Sequence, residues 1–261
     1  MIREYDVIVP VGEKDISRIR MCLNSLKFLV PAPKGIYVIA PRWDKKVDFD
    51  APAGTKVMFL RDDDFLVVER KGFAPNWTFQ QCVKLMQGFT ECPWYMSVDS
   101  DVVFVRPLEV MTADRKPIFW RMPFASFGTV YDEMMKEAWG INKVIPHSMI
   151  CHMMMFHKDA CRDIMRIFLV RHPKTEGVDD RVYFYDWMVG RQTSEKQLSE
   201  FETYANYTEG RYPGVYEHRI LYGKDGAFHG QVDKELVEMI VRTLSLEGDN
   251  DMITIHVRTG T

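Results

Sequence analysis

The sequence predicts an α/β protein: an open, mostly parallel central sheet flanked by helices, followed by a less regular C-terminal half. Three observations predict this class. Short apolar strands alternate with helical patterns through the first hundred residues, the rhythm of a sheet built from crossover connections. An acidic pair, Asp99 and Asp101, stands between the apolar runs 94–98 and 102–105, where a buried strand would end. Hydrophobic residues make up 46% of the 261, enough to fill a sizeable core and too many for a disordered chain.

The elements follow in order. Residues 5–10 (Tyr-Asp-Val-Ile-Val-Pro) form a short apolar strand. Over 16–28, Ile16, Ile19, Leu23 and Leu26 recur at helical spacing, with Asp15 or Ser17 as a cap and Pro31 and Pro33 marking the exit. Strands are expected at 36–40 and 56–60, a helix at 76–87 closed by Gly88, and a strand at 94–98. Beyond that point the pattern loosens. Strands are expected at 117–120, 150–156 and 252–257, and helices at 159–171, 179–190, 197–207 and 233–244. No repeat, low-complexity tract or linker divides the chain, so residues 1–261 read as one domain whose second half, 108–261, covers the open end of the first, 1–107.

Composition narrows the functional classes. The net charge of −3 and the lack of a basic run give no case for a nucleic-acid partner. Five cysteines without C-x-x-C spacing argue against a zinc site or a disulfide framework and fit reduced thiols in the cytoplasm. The N-terminus shows no signal-peptide pattern, and no apolar run approaches the length of a membrane span. Rossmann G-x-G-x-x-G and P-loop signatures are absent.

Asp-x-Asp occurs four times, at Asp48/Asp50, Asp62/Asp64, Asp99/Asp101 and Asp249/Asp251, so the pattern alone says little. Only Asp99-Ser100-Asp101 has strong apolar sequence on both sides. Carboxylates at a strand end sit where open α/β sheets hold ligands, and their hard oxygens suit Mg²⁺ or Mn²⁺ carrying a diphosphate. A solvated turn is the alternative reading. The turn after the first strand, Pro10-Val11-Gly12, precedes a helix whose N-terminus would favour anions. Gln80, Gln81 and Lys84 read either as neighbours of a phosphate or as an exposed helix face, with 80 and 84 on one side. His229, between an aromatic residue and a glycine, is a candidate metal ligand. His152, in an apolar run, reads instead as a core or pocket-wall residue. Glu200 and Glu202, two apart on a helix, point to different faces, and one of them buried beside a cavity would serve as a general base. Solvated acids in a first helical turn are the plainer reading.

Together, the Val-Ile-Val-Pro-Val-Gly-Glu-Lys-Asp start, the Gln80-Gln81…Lys84 helix, Asp99-Ser100-Asp101 and Ser199-Glu200-Phe201-Glu202-Thr203-Tyr204 resemble GT-A-fold glycosyltransferases, in particular a group of small transferases. The resemblance implies Mn²⁺- or Mg²⁺-dependent transfer of a sugar from a nucleoside-diphosphate donor, UDP-linked by preference, to a glycan or glycoprotein. It implies that residues 1–107 hold the nucleotide and 108–261 the acceptor. Asp101, with Asp99 and the late His229, would carry the metal. Pro10, Val11 and Gly12, with Asp62 or Asp63, would hold base and ribose, and Gln80, Lys84 and Ser100 would lie near the diphosphate. For an inverting reaction Glu202 is the expected base, with Glu200 and Asp180 behind it. Trp139, Tyr183, Tyr185 and Trp187 are candidates to stack on acceptor sugars, although aromatic residues usually serve the core. Two rivals share the strand-end Asp-x-Asp. A haloacid-dehalogenase-like phosphatase would use Asp99 as nucleophile, but such enzymes place this strand near the chain start. A module that binds a nucleotide-sugar without turning it over is the other.

Overall fold

A computed structural model describes residues 4–16, 19–41, 47–86, 88–123, 129–221, 223–229 and 252–258, with 223–229 and 253–258 described by their backbone. The chain is α/β, with a mostly parallel central sheet flanked by helices. The elements in chain order are β1 (Tyr5–Pro10), α1 (Ile19–Ser25), β2 (Leu29–Val30), β3 (Gly35–Ala40), β4 (Lys56–Arg61), α2 (Pro75–Leu85), β5 (Trp94–Val98), β6 (Val102–Phe104), β7 (Leu108–Glu109), β8 (Ile118–Arg121) and α3 (Val130–Trp139). There follow β9 (Met153–His157), α4 (Lys158–Arg171), α5 (Asp180–Arg191), α6 (Glu200–Arg211), β10 (Glu217–Ile220), β11 (Gly223–His229) and β12 (Met252–Arg258).

The central sheet has the order β4-β3-β1-β5-β9. The first four strands run parallel, and β9 runs antiparallel to β5. β1 and β3 are buried along their whole length, which is why both, Asp6 apart, read as near-continuous apolar runs rather than alternating ones. From β1 the chain moves to β3 and β4 on one side, then returns to place β5 on the other. The strand order therefore reverses beside β1, and the crevice outside the carboxyl ends of β1 and β5 is the switch point at which open α/β sheets bind ligands.

Expected strands at 5–10 and 94–98 coincide with β1 and β5. Two differences matter for the site. The strand expected over 150–156 begins only at Met153, because His152 adopts a left-handed backbone with φ of 61° that an extended strand cannot contain. The helix expected from residue 197 begins at Glu200, with the Ser199 hydroxyl accepting from the Glu202 backbone N–H at 3.2 Å. A helix at 130–139 was not expected. It opens on a capping box between Thr129 and Asp132 and closes on Gly140 at φ of 70°. The helix expected at 233–244 lies outside the described residues.

All five cysteines are buried and unpaired with one another, in line with the expectation of free thiols. Of the four late aromatics, Trp139 and Tyr185 are core residues. Tyr183 and Trp187 are partly buried against Phe168, with ring centroids 5.9 and 5.3 Å away. Among the described residues, no helix is long and apolar enough to cross a membrane.

Candidate metal and nucleotide site

A cleft of about 900 Å³ opens at the switch point. Its floor and walls come from the residues that follow the parallel strands: Val11 and Gly12 after β1, Pro41 after β3, Asp62 after β4, and Asp99, Ser100 and Asp101 after β5. Helix α2 closes one side with Gln80, Gln81 and Lys84. Gly12 has φ of −74°, a conformation open to any residue, so its conformational freedom is not what the turn requires. The backbone there is pinned by the Val11 N–H, which donates to the Ile39 carbonyl at 2.7 Å.

Asp99, Asp101 and His152 offer ligand atoms that all lie within 4.8 Å of one another, and this group could hold a metal ion. The register of the antiparallel pair explains how a residue so far along the chain arrives there. Val98 pairs with Met153, so the next position along the ladder sets Asp99 opposite His152. The Asp99 N–H donates to the His152 carbonyl at 2.9 Å, and His152 Nδ1 stands 3.1 Å from Asp99 Oδ2. The left-handed turn at His152 ends the strand at that point. A non-glycine residue there costs about 1–2 kcal/mol, a strain of the kind that clusters at functional sites. The sequence reading made His152 a core or pocket-wall residue rather than a ligand; it does line the cleft, but it also belongs to the group that could hold a metal. That reading did not foresee the carboxylates opposite, because strand pairing is invisible in a list of apolar runs. The side chain of His229, the expected ligand, lies outside the described residues.

Behind the carboxylates sits Lys84. Its ammonium is 2.6 Å from Asp99 Oδ1 and 2.6 Å from Glu200 Oε1, and its side chain is 3% exposed. Burial works against the charged amine, but Asp99 and Glu200 outweigh it and hold the lysine pKa above its usual value. Burial likewise opposes ionisation of Asp99, yet the Lys84 charge and the His152 contact bring its carboxyl well below the ordinary range. Glu200 is raised, chiefly by burial, against the pull of Lys84. The Gln81 amide, with its nitrogen turned toward Glu200, also donates to that carboxylate. Ser100 Oγ donates to Asp15 Oδ2 at 3.3 Å, tying the β5 turn to the β1 turn.

Asp62 and Asp63, weighed together from the sequence, separate in space. Asp62 is buried in the cleft wall and its Oδ2 ion-pairs with Arg70, while its buried Oδ1 has no hydrogen-bond partner. Asp63 is exposed beside Arg61 at 3.4 Å and does not line the cleft. Arg70 was missed in the sequence because it lies in a polar run without periodicity. Its guanidinium stacks 3.9 Å from the centroid of the Phe79 ring.

The three expected catalytic carboxylates do not line the cleft. Glu202 is 1% exposed, and its oxygens are already engaged by Lys143, by the Met149 N–H at 2.9 Å and by the Asn206 amide at 3.2 Å. A carboxylate so enclosed and so fully bonded has no place for an acceptor hydroxyl; it braces the 143–149 loop that leads to His152. Asp180 is half exposed at the start of α5 and pairs with Lys174 at 2.7 Å. Glu200 is committed to Lys84. The plainer reading of Glu200 and Glu202, solvated acids in a first turn, also fails: α6 is buried from Glu200 to Thr208.

No family model matches the chain, and no curated protein matches it.

Proposed function

We propose that the protein is a metal-dependent glycosyltransferase that takes a sugar from a nucleoside-diphosphate donor, UDP-linked by preference, and passes it to a glycan or glycoprotein. The observation that carries this reading is the convergence of Asp99, Asp101 and His152 at the β1/β5 switch point, in one cleft with the β1 turn and Asp62. Two carboxylates and an imidazole suit Mn²⁺ better than Mg²⁺, which prefers oxygen alone. Bound there, the ion would offset charge developing on a leaving diphosphate.

The protein's own groups fit the rest of such a donor. Asp62 and Arg70, paired side by side in the cleft wall, would lie beside the base. Gln80 and Asn76, on the α2 side of the cleft, would donate to phosphate oxygens. The Lys84 ammonium is turned to Asp99 and Glu200, so we assign it to the metal carboxylate rather than to the diphosphate. With Glu202 and Asp180 away from the cleft, neither is assigned as base.

Thermal unfolding tests the reading. UDP with Mn²⁺, at about a hundred times its Kd, should raise Tm by about 5–10 °C and do little in EDTA. Asp101→Ala should abolish the metal-dependent shift, and sugar transfer should follow the same dependence. If no nucleoside diphosphate gives a metal-dependent shift, the proposal is wrong.

A further inference from the structure

We propose that Glu200 is a positioning residue for the metal site: through the buried Lys84 ammonium it fixes the Asp99 carboxylate with one oxygen committed inward and the other left toward Asp101 and His152. The inference rests on the metal reading above and adds a role for two groups that the donor itself does not touch.

The geometry argues for it at each link. Lys84 lies on the inner face of α2 and reaches two carboxylates at the same 2.6 Å, one from the end of β5 and one from the first turn of α6. Asp99 uses Oδ1 for Lys84 and Oδ2 for His152, so its two oxygens have different duties. A lysine bonded to Asp99 alone would give that carboxylate its whole charge and compete directly with a cation. Glu200, 1% exposed and with no other cation beside it among the described contacts, takes up part of that charge. With all four groups ionised, Asp99, Asp101 and Glu200 against Lys84 leave two negative charges, which a divalent ion cancels. Lys84 also lies 4.6 Å from the centroid of the Phe201 ring, so the residue after Glu200 holds the same ammonium from a second direction. Outer partners of this kind orient ligating carboxylates, and their removal typically weakens metal binding about 10–100-fold.

The test is a Mn²⁺ titration without nucleotide, read as the electron paramagnetic resonance signal of the free aquo ion, on wild type, Glu200→Gln and Glu200→Asp. Wild type should bind. Glu200→Gln, which leaves the full lysine charge on Asp99, should bind at least about tenfold more weakly. Glu200→Asp keeps the charge but is one methylene short, and should fall between. A residue that served the fold alone would lower Tm in EDTA and leave the Kd of the folded protein unchanged; that result, or Glu200→Gln binding within about twofold of wild type, overturns the proposal. If Glu200→Gln does not fold, wild-type affinity in Glu200→Asp overturns it equally. Absence of Mn²⁺ binding by wild type is a different result: it removes the metal reading itself, and the positioning role with it.

Discussion

The first half of the chain reaches the cleft by strand direction, and the second half reaches it by strand register. β1, β3, β4 and β5 all run the same way, so whatever follows each of them is delivered to one edge of the sheet. Every described residue lining the cleft comes from this half except His152. That residue enters from the opposite end of its strand, because β9 runs backwards against β5 and its start, not its finish, lies at the ligand edge. The first mechanism tolerates variation in what the turn contains. The second depends on a single pairing, since a one-residue slip of β9 would turn every one of its side chains to the other face.

The two halves are joined through a buried ion pair. Lys84 belongs to the first half and Glu200 to the second, and both are buried. Lys84→Met should therefore cost about 3–5 kcal/mol in urea unfolding, because it leaves Glu200 enclosed without a cation. A loss below about 1 kcal/mol would mean that the halves are held by packing and not by this pair.

Asp99 tests the same junction through pH. Its carboxyl is held below the ordinary range by Lys84 and His152 against the cost of burial, so the folded state binds its proton less readily than the unfolded chain does. The stability it contributes is complete above the unfolded carboxylate pKa of about 4 and is lost as pH falls below that value toward the lower folded one. Asp99→Asn should be about 1.5–3 kcal/mol less stable than wild type at pH 7, and the gap should narrow on approaching pH 3, followed by thermal unfolding across that range. A gap that stays constant with pH would show that the aspartate charge does not matter there.

The smallest effect is expected at the turn that precedes β9. His152 holds a left-handed backbone. Glycine at that position should be about 1 kcal/mol more stable than alanine, while both substitutions weaken Mn²⁺ binding alike. Equal stability of the two variants would show that the turn relaxes once the imidazole is gone.

What could be read from the sequence follows the same division. β1 and β5 were legible because buried parallel strands are apolar along most of their length, and Asp99-Ser100-Asp101 stood out as a polar break after such a run. Gln80, Gln81 and Lys84 were legible as residues of one helix, but not the direction of the lysine, since its partner Glu200 lies 116 residues away. Glu202 was expected as a base from the resemblance and from the prospect that one acid of α6 lies beside a cavity; only the packing of α6 shows that it is enclosed away from the cleft. Arg70 carried no periodic signal, and Asp15 was read as a helix cap rather than as the partner of Ser100. His152 was visible as a histidine in an apolar segment, yet its partner was set by an antiparallel pairing that no local pattern encodes.

The backward course of β9 also orders events in time. A chain emerging from the ribosome completes the β5 turn well before it supplies the groups that satisfy it: the imidazole comes 53 residues after Asp99, and the second carboxylate for the Lys84 ammonium comes 116 residues after that lysine. Until then Asp99 lacks its imidazole partner and Lys84 lacks its second carboxylate. The residues before 150 include every described residue lining the cleft except His152, and none of the partners that α6 supplies.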